Sequence, residues 1–153
     1  MSILERLDAL GLKLLPVPSP IGNFRNVIQT GDLVYISGQG PREASGYLYR
    51  GKVGLDVPVR DAYRHAGLTG LNILSVLAYA LGDLGRVNRV VKLLGFVNAS
   101  AEFTDHPEVI NGCSDLFIDV FGDIGQHARS AIGVSSLPNN ITVEIEAIFE
   151  LRP

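Results

Sequence analysis

Between Ile141 and Leu151 apolar and polar residues alternate. Val143, Ile145, Ala147 and Phe149 fall on one side, and Glu144, Glu146 and Ile148 on the other. A period of two predicts a β-strand with one covered face. "NVIQTGDLVYISG" (26–38) reads as two more strands joined at Thr30-Gly31-Asp32, a hairpin signal. "RVVKLLGFVNAS" (89–100) is β-rich enough for a central strand, and "ARSAIGVSSL" (128–137) is a strand that ends in a Pro138-Asn139-Asn140 turn. Two segments change period. In residues 58–84, Ala62, Ala66, Ile73, Leu74, Leu77 and Leu81 recur at helical spacing between Pro58 and Gly82. In residues 106–123, Val109, Cys113, Leu116, Phe117 and Val120 mark the inner face of a second helix, with Pro107 near its start. Ser2 followed by Glu5 is a capping-box pattern for a short helix over 2–10, closed by Gly11.

Two stretches carry no period. "LPVPSPIGNF" (15–24) is too proline-rich for a helix or a central strand and predicts an ordered loop. Residues 39–57 hold spaced glycines and tyrosines without a pattern. Gly67 and Gly70 weaken the long helix by about 1 kcal/mol each relative to alanine, and close packing on a sheet is the expected compensation. The order of elements predicts one α+β domain over 1–153, a sheet with two helices on one face. The other face carries two carboxylates among apolar residues, which suits a contact between subunits.

Composition narrows the function. Hydrophobic residues are 46% of the 153, enough for a full core, and charged residues only 19%, below the usual quarter. Net charge is -3 and no basic run occurs, so a protein built to coat nucleic acid is not expected. Cys113 is the only cysteine, which excludes an internal disulfide; on the inner helix face it reads as an inert core thiol. The acidic, short-cored N-terminus does not read as a secretory leader, and no apolar run is long enough to span a membrane. The cytoplasm is the simplest compartment. His65, His106 and His127 form no metal-ligand spacing with acids, and no phosphate-binding glycine loop is present.

Arg129 is the conspicuous residue, a guanidinium inside a neutral, apolar strand. Burying it without an anion costs roughly several kcal/mol. The anion is a carboxylate of this chain (Glu144 or Glu146 on the adjacent strand), one from a neighbouring subunit, or one that arrives on a ligand.

Three stretches, "ISGQGP" (36–41), "ARSAIGVSSLP" (128–138) and "VEIEAIFEL" (143–151), in this order and spacing resemble the Rid family, also called the YjgF family. Its members are enamine/imine deaminases, often labelled endoribonuclease L-PSP or translation initiation inhibitor. The resemblance covers about Leu33 to Leu151. It implies a chorismate-mutase-like (bacillus type) fold, a mixed β-sheet with two helices packed on one face, and a homotrimeric barrel with clefts between neighbouring subunits. The implied substrate is a small 2-imino acid such as 2-iminopropanoate. Water adds to the imine carbon, and a 2-keto acid and ammonia leave, without metal or organic cofactor.

On this resemblance Arg129 clamps the substrate carboxylate and Glu144 positions the attacking water. Alternation alone does not separate Glu144 from Glu146. Ser37, Gly38 and Gln39 match the loop at the end of the hairpin, although a tight turn would explain Gly38 by itself. Asn111 matches a polar position lining the cleft, its alternative being a capping or solvent contact. Three positions depart from the family pattern. Phe24 stands where a tyrosine is common, Ala131 where a cysteine is common, and His127 where a proline is common. His127 beside a strand reads as a surface residue. Phe24 and Ala131 remain candidate substrate contacts, and the departures leave room for a bulkier imine. Competing readings are a binding protein for small carboxylates and an RNA-cleaving protein; chorismate mutase is an analogy of fold only.

Overall fold

The computed structural model describes all 153 residues. Helix α1 spans Ile3–Ala9, strands β1 and β2 Val27–Thr30 and Leu33–Gln39, helix α2 Val59–Leu81, strand β3 Val87–Asn98, helix α3 His106–Phe121, and strands β4 and β5 Ala128–Val134 and Val143–Leu151. The expected capping box is present: Glu5 N–H donates to Ser2 Oγ at 3.1 Å and Ser2 N–H to Glu5 Oε2 at 2.8 Å. Gly11, with φ of 73°, follows the last turn. The hairpin turns at Gly31, which takes a φ of 60° that other residues adopt at a cost.

The strands form one mixed sheet in the order β1-β2-β5-β3-β4. All neighbours are antiparallel except β3 and β4, which run parallel with α3 as their connection. Val34, Ile36, Val90, Leu93, Val143, Ile145 and Phe149 are buried on the face covered by α2 and α3. A third helix, α1, joins this core through Leu7, and Arg6 Nη1 donates to Val120 O at 3.3 Å. The opposite face is open. Tyr35 and Ile132 are exposed there, and Phe96 pairs with both Ile132 and Glu144 to form one cross-strand row.

The packing of Gly67 and Gly70 differs from the sequence expectation. Both face α3, not the sheet. A Cβ at Gly70 would lie 3.0 Å from Cys113 Sγ, and one at Gly112 would lie 1.9 Å from Tyr63 O. The glycines bring two helix backbones into contact. Residues 39–57 lack a period because side-chain amides and isolated bridges hold them. Asn98, fully buried, bonds Gly51 O at 3.1 Å, Ile141 O at 3.1 Å and Asn140 Oδ1 at 2.9 Å, and accepts from Lys52 Nζ at 2.8 Å. The Pro138 turn works through Asn139 and Asn140, both at positive φ (56° and 58°), where asparagine is among the better-tolerated residues. No helix is long and apolar enough to cross a membrane.

Candidate functional site

Arg129 lies on edge strand β4, and strand alternation turns it toward α3. It is half-buried. Its Nη1 donates to Asn111 Oδ1 at 2.7 Å and to Ser114 Oγ at 3.2 Å. No carboxylate of the chain reaches it, since the only ion pairs join Arg60 and Arg64 to Asp61. Of the anions considered, those from Glu144 and Glu146 of the same chain are therefore excluded. Both Nη1 hydrogens are engaged by neutral acceptors. Nε and Nη2 remain as a two-donor edge of the kind that grips a carboxylate bidentately. Ala131, two residues on, shares this face and packs against the core.

Glu144 occupies β5 between buried Val143 and Ile145, so it points to the open face. A β-bulge sets its surroundings. Ile36 pairs with Ala147 and Gln39 with Ile145, so Ser37 and Gly38 together oppose Glu146. The bulge brings Gly38 against the Glu144 side chain, so closely that a Cβ there would lie 2.7 Å from Oε2. Glycine is required at 38 for that approach. Glu144 and Gly38 line a cleft of about 350 Å³ together with Phe24, Gln39, Arg42 and Asn72. Asn72 Nδ2 donates to Arg42 O at 2.8 Å, which ties this loop to α2. The Glu144 carboxyl is raised above the usual range, first by burial and then by the Glu146 charge. Within one chain no arginine pairs with Glu144.

The predicted residues thus form two groups. Arg129, Asn111 and Ala131 lie on the helix-covered face; Phe24, Gly38 and Glu144 lie around the bulge. Arg129 and Glu144 are on opposite faces of the sheet, with β3 between their strands. Ser37 joins neither group. Its N–H and hydroxyl both bond Asn26 O (2.9 and 3.3 Å), and it lines a neighbouring depression with Glu146 and Lys92.

His127 departs from its reading as a surface residue. It is half-buried, with Nδ1 at 2.6 Å from Gly125 O and Nε2 at 2.9 Å from Ser114 Oγ. Burial, then the Arg129 charge, hold its imidazole below the ordinary value, partly offset by the Gly125 bond. Ser114 had no distinguishing signal beyond its place one turn after Asn111's neighbourhood on a helix. Arg42 and Asn72 sat in a patternless loop and an apolar helix. Cys113 is fully buried and its thiol is pushed far up by burial, as suits an inert core thiol. No group of three or more His, Cys, Asp or Glu side chains is placed to hold a metal ion.

The sheet, the helix-covered core and these two polar groups define an α+β protein of chorismate-mutase-like fold. The family model described as "YjgF/chorismate_mutase-like, putative endoribonuclease" matches residues 4–151, and the chain belongs to that family. It is 40% identical to Protein TCP17 of Trypanosoma cruzi over 151 residues, covering 98% of this chain and 94% of that one. It is 29% identical over 135 residues to a 2-iminobutanoate/2-iminopropanoate deaminase of Dermatophagoides farinae, covering 88% of this chain and 91% of that protein. The crystal structure of Atu1372 from Agrobacterium tumefaciens, a protein of unknown function, superposes with a TM-score of 0.90 at 45% identity, covering 99% of this chain and 94% of that one.

Proposed function

We propose that the chain hydrolyses reactive 2-imino or enamine acids to 2-keto acids and ammonia, as a homotrimer without a cofactor. Each site would combine the Arg129 group of one copy with the Glu144 cleft of its neighbour. One observation carries the reading: Arg129 is half-buried, held by Asn111 and Ser114 alone, and offers a free Nε–Nη2 edge with no carboxylate of its own chain to meet it. The open sheet face, with Tyr35, Phe96 and Ile132 uncovered or half-covered, supports the assembly.

The chemistry follows from the two groups. Arg129 holds the substrate carboxylate and fixes the imine carbon. Glu144 takes a proton from water as the oxygen bonds to that carbon and the C=N π electrons move to nitrogen. The same carboxyl returns that proton to nitrogen, giving a carbinolamine; the carboxylate then takes the hydroxyl proton and passes it to nitrogen as the oxygen electrons form C=O and the C–N bond breaks, so that ammonia and the keto acid leave. A carboxyl raised by burial suits a group that both accepts and returns a proton. Phe24 and Arg42 line the end of the cleft where the substrate side chain would lie.

The test is keto-acid release from 2-iminopropanoate and larger imines generated in situ. Wild type is expected to accelerate release and Arg129→Ala to lose the acceleration; unchanged release by Arg129→Ala would remove the clamp. Binding of 2-ketobutyrate without hydrolysis would point to the carboxylate-binding alternative. The endoribonuclease wording of the family description is a second reading, and RNA cleavage that persists through purification and in Arg129→Ala would favour it.

A further inference from the structure

Two groups beside Arg129 have no part in the proposed reaction: Ser114 of α3 and His127 before β4. The Gly125 carbonyl can only accept a hydrogen bond, so His127 Nδ1, 2.6 Å away, carries the ring proton. The Nε2 of the uncharged ring is then a lone pair, and Ser114 must donate its hydroxyl hydrogen to it at 2.9 Å. That orients the serine oxygen as an acceptor for Arg129 Nη1 at 3.2 Å, beside Asn111 Oδ1 at 2.7 Å. The start of this chain is itself anchored. A Cβ at Gly125 would lie 2.4 Å from Phe117 O, so only glycine lets that backbone seat against α3. Phe117 also meets the imidazole edge-on, with ring centroids 6.3 Å apart.

We infer that His127 and Ser114 are positioning residues that fix the roll of the Arg129 guanidinium, so that the substrate carboxylate is taken along its Nε–Nη2 edge. The inference rests on the carboxylate-clamp reading of Arg129. A planar group held at one nitrogen by two acceptors in different directions keeps one orientation. Without Ser114's lone pair, only Asn111 holds Nη1, and the group rolls about that single bond. Protonation of His127 has the same effect: Nε2 becomes a donor, the hydroxyl loses its acceptor, and a second positive charge stands beside Arg129. The groups facing the imidazole are Ser114 and Phe117 of α3, the Gly125 carbonyl, and Arg129 as the charged neighbour.

The experiment compares wild type with Ser114→Ala, His127→Phe and His127→Gln, the last keeping an acceptor for the serine. It reads KM and kcat for 2-iminopropanoate, the Kd of 2-ketobutyrate, and nitrogen-15 NMR of His127 and Arg129. Ser114→Ala and His127→Phe are expected to raise KM and Kd about five- to tenfold, the worth of one lost hydrogen bond. His127→Gln is expected to restore both to about twofold of wild type on the same scale, and to abolish the wild type's loss of affinity in acid. NMR is expected to show the Nδ1–H tautomer, and slow rotation of the Arg129 guanidinium that Ser114→Ala releases. A wild-type Nε2–H tautomer, or guanidinium rotation unchanged in Ser114→Ala, would overturn the inference. If wild type neither hydrolyses the imine nor binds 2-ketobutyrate, the clamp reading fails, and the NMR result still decides whether Ser114 and His127 orient Arg129.

Discussion

At Gly38 the Glu144 side chain occupies the space where any other residue would begin, with Oε2 at 2.7 Å from an added Cβ. The obstacle is the end of a flexible side chain, so Gly38→Ala is expected to move Glu144 rather than unfold the chain. Keto-acid release should fall on the order of tenfold or more, since displacements of about 1 Å carry such costs, while the thermal midpoint stays near wild type. Glu144→Gln keeps the shape but cannot accept a proton, and should lose roughly 100-fold in kcat, within the range for a general base. Full activity in Glu144→Gln would end the water-activating role. Arg129 was legible from its neighbours, a charge in an apolar strand; Gly38 and Glu144 were singled out by the family resemblance, since a turn explains a glycine at a strand end and alternation does not separate Glu144 from Glu146. Ser114, Arg42 and Asn72 were not, because their roles arise only when distant segments meet. His127 was misread because its burial depends on a carbonyl two residues away and a serine on another element.

Between elements, the tightest contact is the crossing of α2 and α3 at Gly67, Gly70 and Gly112. A Cβ at Gly112 would lie 1.9 Å from the backbone oxygen of Tyr63. Nothing flexible can give way there. Gly112→Ala is therefore expected to cost about 3 kcal/mol, the upper end for overpacking, read from urea denaturation; an unchanged midpoint would contradict the crossing. The glycines announced a close approach but not its partner, because a missing Cβ is equally consistent with a sheet or a helix. In the same way the strands were readable from their periods, whereas the parallel pairing of β4 on β3 was not, since alternation carries no record of direction. The crossing has a functional side as well: α3, held there, carries Asn111 and Ser114 to Arg129.

For the whole molecule, pH acts through half-buried imidazoles. His65, stacked on Tyr49 and bonded to Thr142, and His127 are both held below the ordinary histidine value, chiefly by burial. The folded chain then binds fewer protons than the unfolded one. Their contribution is complete above about pH 6.5 and is lost as pH falls toward the lowered folded values. Glu144, raised in the folded chain, acts oppositely at lower pH. Thermal midpoints of wild type and of a His65→Gln/His127→Gln variant, followed from pH 7.5 to 5, isolate the histidine part: wild type should lose more stability than the variant, and parallel curves would contradict this.

In the proposed assembly one chain holds two halves of a site and neighbouring copies complete it. Opposite faces of the sheet carry Arg129 and Glu144, so a single chain does not bring them together. The direct measurement unfolds Arg129→Ala and Glu144→Gln chains together in equal amounts, refolds the mixture, and assays imine hydrolysis. In a cyclic assembly with random mixing, about a quarter of the sites should combine an intact Arg129 with an intact Glu144. Activity near a quarter of wild type is expected, from two variants that alone keep about a hundredth of it or less. A co-assembled mixture no more active than its parents would show that the site does not form between copies.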